Sequence, residues 1–70
     1  MQEIMEIVRR AERMEGLTMW KSARRLWERA ADACARAGYY KCQDECRARW
    51  WQAQRHVAQT SEWLACDRVR

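Results

Sequence analysis

Four cysteines and one histidine are the side chains of this 70-residue chain best equipped for metal or nucleophilic chemistry: Cys34, Cys42, Cys46, Cys66 and His56. Cys42 and Cys46 stand four apart, so on a helix both thiols leave from one face. Cys34 precedes Cys42 by eight residues, and Cys66 or His56 would complete a set of four. Tetrahedral zinc accepts four thiolates, or three thiolates and one imidazole. Structural zinc sites are usually built on a C-x2-C knuckle, however, and none is present. The plainer expectation is that Cys34, Cys42 and Cys46 act as small apolar residues on helical seams, with no metal and no cofactor.

A nucleophilic Cys–His pair fares worse. Cys46 and His56 are ten residues apart, about 15 Å along a helix at 1.5 Å per residue. No third group is placed to orient the imidazole, and no oxyanion site is signalled. The chain is therefore expected not to be an enzyme.

The elements that carry these residues follow from composition. There is no proline, and the only glycines are Gly16 and Gly38. Alanine, arginine, glutamate, glutamine, methionine and leucine dominate, all good helix formers. The fold class is all-α: a single domain over residues 1–70, built as a small three-helix assembly with a tetratricopeptide-like helical hairpin. The helices are expected at about 2–15, 18–37 and 39–60. Beyond them, residues 61–68 form either a short C-terminal turn capped by Thr60-Ser61-Glu62 or a continuation of the third helix. Gly16 is expected to supply the left-handed residue that ends the first helix, and Thr18 to cap the second.

Apolar residues recur at threes and fours in each segment, the signature of a buried helical face. The first carries Ile4, Ile7 or Val8, Ala11 and Met14. The second carries Trp20, Ala23, Trp27, Ala30, Cys34 and Ala37, with Leu26 and Ala33 widening the face. The third carries Tyr39, Cys42, Cys46, Trp50, Ala53 and Val57. Alternating indoles and alanines let a neighbouring backbone come close between two large rings. Trp20, Ala23, Trp27, Ala30 and Trp50 are thus expected in the structural core.

The net charge is +4. Residues 1–35 contribute +1 and residues 36–70 contribute +3, since the former hold seven basic and six acidic side chains and the latter seven and four. That is a thinner basic stripe than phosphate-binding proteins carry. Twelve of the fourteen positive side chains are arginine, which suits carboxylates at protein interfaces as well as phosphates. The N-terminus MQEIMEIVRR has acids where a secretory leader has bases. A cytoplasmic setting is expected, in which structural disulfides do not form.

Five tryptophans are more than so short a chain can use internally. Trp51, Trp63 and Tyr40 fall off the inner seams and read as apolar anchors for a protein partner or a second copy. Arg47, Arg24 and Arg25 read as rim charges meeting acidic groups. Arg47, Arg49 and Arg55 with Trp50 and Trp51 also form a basic–aromatic cluster of the kind that touches nucleic acid. Asp44 and Glu45 lie beside it and would repel a phosphate backbone, so protein is the favoured partner. No segment is long and apolar enough to enter a membrane.

The stretch Ala11-Glu12-Arg13-Met14-Glu15-Gly16, followed by Trp20-Lys21-Ser22-Ala23-Arg24-Arg25-Leu26-Trp27-Glu28-Arg29-Ala30, resembles the small ANR and PerC-type bacterial transcriptional regulators. Their pattern runs A-x2-L-E, then G, then an aromatic, x2-A-A-x-x-W. The likeness covers residues 8–37, and Cys42 to Trp51 is loosely similar to the charged helix that follows in that family. The resemblance implies control of transcription: binding a larger transcription factor, such as an AraC-type activator, and modulating its activity. Two other readings fit so small a chain. One is a phage- or plasmid-encoded inhibitor of a host defence complex, and the other a weak direct DNA-binding regulator.

Overall fold

A computed structural model of the chain describes the backbone of residues 2–69 and the side chains of residues 3–59. It is all-α: α1 (Gln2–Gly16), α2 (Trp20–Ala37) and α3 (Tyr40–Val69), with no strand among the described residues. The connections are only two or three residues long, so successive helices fold back on one another. Helix α2 packs against both α1 and α3, whereas α1 and α3 scarcely meet. The assembly is therefore an open row with α2 in the middle.

The first helix ends in a way its sequence did not suggest. Gly16 stays helical, and Thr18 takes the left-handed conformation at φ 58. The Met19 N–H donates to the Met14 carbonyl at 2.9 Å and the Thr18 N–H to the Glu15 carbonyl at 2.9 Å. This pair of backbone bonds closes a helix around one left-handed residue. Thr18 is consumed in ending α1, so it does not cap α2. Its hydroxyl donates to the Leu17 carbonyl instead, at 2.6 Å. Helix α2 starts two residues later than expected, at Trp20, with Met19 at its N-cap and no side-chain cap.

The second turn uses the same closure with the residue chemistry prefers. Gly38 is left-handed at φ 80. The Tyr39 N–H reaches the Cys34 carbonyl at 2.8 Å and the Gly38 N–H the Ala35 carbonyl at 3.2 Å. Tyr39 was expected on the inner seam; it sits in the turn, where its carbonyl accepts the Gln43 N–H, and its ring is exposed. Ala37, on the α2 side of the same turn, is exposed for the same reason. Helix α3 runs on to Val69 rather than ending near residue 60, since neither glycine nor proline interrupts Thr60-Ser61-Glu62.

The core is made of small side chains. Ile4 and Ala11 of α1 meet Ala23, Trp27, Ala30, Ala31 and Cys34 of α2, and Cys46 and Ala53 of α3. Trp27 is the one large aromatic in this cluster. Trp20 and Trp50, expected in the core, pack against its edge half-buried. Methyl and thiol groups let α1 and α3 each approach α2 closely, while the indoles of Trp20 and Trp50 flank the contact.

Candidate functional site

Three contacts across α2 and α3 are arranged symmetrically about Gly38. Cys34 meets Cys42, Trp27 meets Arg49, and Trp20 meets His56. The partners lie four, eleven and eighteen residues either side of the glycine. A step of seven is the repeat of two helices that keep one seam in register. Each level of this ladder carries different chemistry.

Nearest the turn is a thiol cluster. The Sγ atoms of Cys34, Cys42 and Cys46 all lie within 4.8 Å of one another. Cys34 donates to Cys42 with the sulfurs 2.8 Å apart. Cys34 is fully buried and Cys46 is 3% exposed, while Cys42 is half-buried. Burial pushes the Cys34 thiol up to about 12, helped by its hydrogen bond with Cys42 and the neighbouring sulfurs. Burial pushes Cys46 up to about 11. Both stay protonated at neutral pH in the metal-free chain. His56 is remote from this level, stacked on Trp20 with ring centroids 3.8 Å apart and planes 8° from parallel. It supplies neither a fourth ligand nor a catalytic partner to Cys46. The Cys66 side chain lies outside the described residues.

At the middle level the Arg49 guanidinium carbon lies 4.8 Å from the Trp27 ring centroid. The Trp27 Nε1–H donates to Glu15 at 3.1 Å, and Arg49 pairs with the same carboxylate. Glu15 stands at the end of α1, so this one acid ties all three helices together. Arg49 is thus an internal residue, although its sequence setting grouped it with Arg47 and Arg55. Above it, Arg24 donates to the Gln54 side chain at 2.6 Å. Arg24, expected at a partner's rim, is engaged within the fold. Glu15 falls at the acid of the A-x2-L-E pattern and Gln54 in no motif, but nothing in the sequence marked what either side chain would meet. Their partners belong to other helices, and no local spacing encodes that.

The expected anchors on α3 lie together. Tyr40, Arg47 and Trp51 fall at steps of seven and four, one helical face, and all three are exposed. Tyr40 is 69% exposed and Trp51 62%. Asp44 lies on the same face between Tyr40 and Arg47. Trp51 meets Trp50 edge to face at 4.8 Å between centroids. Both line a groove between α3 and α2, where Ala31 and Ala35 give an apolar lining and Glu28 and Asp32 an acidic edge. Arg25 lies on α2 in an adjoining concavity that shares Glu28 and Asp32. The side chain of Trp63 lies outside the described residues.

Among the described residues no helix is long and apolar enough to cross a membrane. Comparison with protein-family models, with curated proteins and with solved structures found no match to this chain.

Proposed function

We propose that the protein is a small non-enzymatic regulator that binds a larger transcription factor, of the AraC type or similar, and changes its activity. The face of α3 carrying Tyr40, Arg47 and Trp51 makes the contact. One observation carries the reading: an indole and a phenol, each more than half exposed, share a helix face with an arginine beside an apolar groove. Exposed aromatics of this kind are the usual anchors of a protein interface, and arginine is their usual companion.

The mixed charge of the face supports protein over nucleic acid. Asp44 lies between Tyr40 and Arg47, and Glu28 and Asp32 edge the groove, so phosphates would meet as much repulsion as attraction. Helices α1 and α2 act as a tetratricopeptide-like hairpin, with α3 laid against α2 where the first helix of a next repeat would stand. A second copy of the chain is the competing occupant of the same face.

The test uses a purified AraC-type activator whose dimerisation and DNA binding are measured with increasing amounts of this protein. The wild type is expected to alter one or both saturably, with Trp51→Ala and Tyr40→Ala each weakening the effect by about tenfold, as for an interface anchor. No effect of the wild type, or full effect of both folded variants, sinks the proposal.

A further inference from the structure

The thiol cluster near Gly38 plays no part in the partner-binding face. We propose that Cys34, Cys42 and Cys46 form a three-thiolate site for a single thiophilic metal ion, either zinc or monovalent copper.

The geometry is that of a ligand set. Metal–sulfur bonds of about 2.3 Å place the sulfurs of one site about 3.8–4.0 Å apart. Here the closest pair is 2.8 Å apart and the whole set lies within 4.8 Å. Shifts of about 1 Å bring all three to bonding distance. Two of the three come from successive inward positions of α3 and the third from the facing position of α2, so the seam itself holds them. Cysteines that merely fill space have no reason to converge on one point; three sulfurs on two helices do so here.

The donor set defines what is bound. Thiolates select soft ions such as monovalent copper and zinc over magnesium or calcium. Among the described residues no carboxylate or imidazole joins the group. Cys66 lies twenty residues beyond Cys46 on α3, about 30 Å along the helix. Among the described residues the protein therefore offers three ligands. Monovalent copper is satisfied by three; zinc takes a water as its fourth, on the side of the half-buried Cys42. Each thiol gives up its proton to solvent as its sulfur bonds the ion, and no atom changes oxidation state. Because the ligands bridge α2 and α3 across the Gly38 turn, the ion would clip the hairpin at its closed end.

The experiment is an anaerobic titration of the full chain under a phosphine reductant. Cobalt(II) reports zinc-type binding through its thiolate charge-transfer absorption, with zinc as competitor. Monovalent copper is titrated separately. The expected result is saturation at one equivalent with cobalt displaced by zinc, or with copper alone. Cys42→Ser is expected to lower the affinity by more than about tenfold through the loss of one of three bonds, while Cys66→Ser leaves it unchanged. Helical circular dichroism checks that Cys42→Ser is folded. Alkylation of the wild type supplies a test independent of any variant: metal is expected to protect Cys42, the half-buried member of the set, and to leave the labelling of Cys66 as it was. Absence of stoichiometric binding by either ion, wild-type affinity in Cys42→Ser, loss of binding in Cys66→Ser, or labelling indifferent to metal would each overturn the site.

Discussion

Arg49 stacks on Trp27, and both donate to the single carboxylate of Glu15. An acid at the end of α1 thus fixes an indole of α2 and a guanidinium of α3 at once. Glu15 is largely shielded, its side chain 14% exposed, while that of Arg49 is 39% exposed. Water therefore screens much of the ion pair, which contributes under about 1 kcal/mol. The larger loss comes from leaving the buried Trp27 N–H without an acceptor. Glu15→Ala is expected to cost about 2 kcal/mol, and Glu15→Gln, which keeps an acceptor, about half of that. Urea unfolding of the two variants checks the ordering; equal losses would mean that the indole bond is unimportant.

The two turns make a matched experiment in backbone strain. Thr18 holds φ 58 where Gly38 holds φ 80 in the same closure, and a β-branched residue is poorly suited to that region. Thr18→Gly is expected to stabilise the fold by about 1 kcal/mol, the left-handed penalty outweighing the lost hydroxyl bond and the added chain entropy. Gly16 is helical, and a Cβ there would meet nothing within 4 Å. Gly16→Ala is expected to add about 0.5–1 kcal/mol. A rise in the thermal midpoint for both variants checks the assignment.

Stability is expected to fall in alkali. In the metal-free protein burial pushes the Cys34 and Cys46 thiols up to about 12 and about 11, from an ordinary thiol value of 9.0. Below pH 9 both states hold these protons, and the thiols contribute no pH dependence. Between pH 9 and 11 the unfolded chain releases them first, so it gains at the expense of the folded one. Cys34→Ala is expected to flatten the decline. Urea midpoints measured from pH 7 to 11 with a chelator present give the slope directly.

The tryptophans are expected to separate into structural and surface roles. Trp27→Ala opens a void in the centre of a small core and is expected to cost about 3–5 kcal/mol, enough to unfold the chain. Trp51→Ala removes an exposed ring and is expected to change stability by no more than about 0.5 kcal/mol. Circular dichroism of the two variants distinguishes them. Equal helicity would show that Trp27 is not the centre of the fold.

Much of the scaffold was legible because helices declare their inner faces locally. Spacing at threes and fours marked Ile4, Ala11, Ala23, Trp27, Ala30, Cys34, Cys46 and Ala53, all of which are buried. Gly38 at the second turn was equally plain. The first turn misled because glycine is only a preference for the left-handed position, and Thr18 took it two residues further on. Convergence of three thiols was harder to foresee. The spacing of Cys42 and Cys46 aligned two of them, but the third joins only once the register across Gly38 is set. Glu15 with Trp27 and Arg24 with Gln54 are relationships between helices, and periodicity within one helix is blind to them.

A core in which Trp27 is the one large aromatic among mostly small side chains has thermal consequences. Little hydrocarbon is withdrawn from water, so the heat-capacity increment of unfolding is small and the stability curve shallow. With an enthalpy at the midpoint of at most about 50 kcal/mol for a chain of this length, calorimetry is expected to record a low, wide endotherm rather than a sharp peak. Modest warming would already populate unfolded molecules, and any ligand that selects the native form would raise the midpoint by mass action.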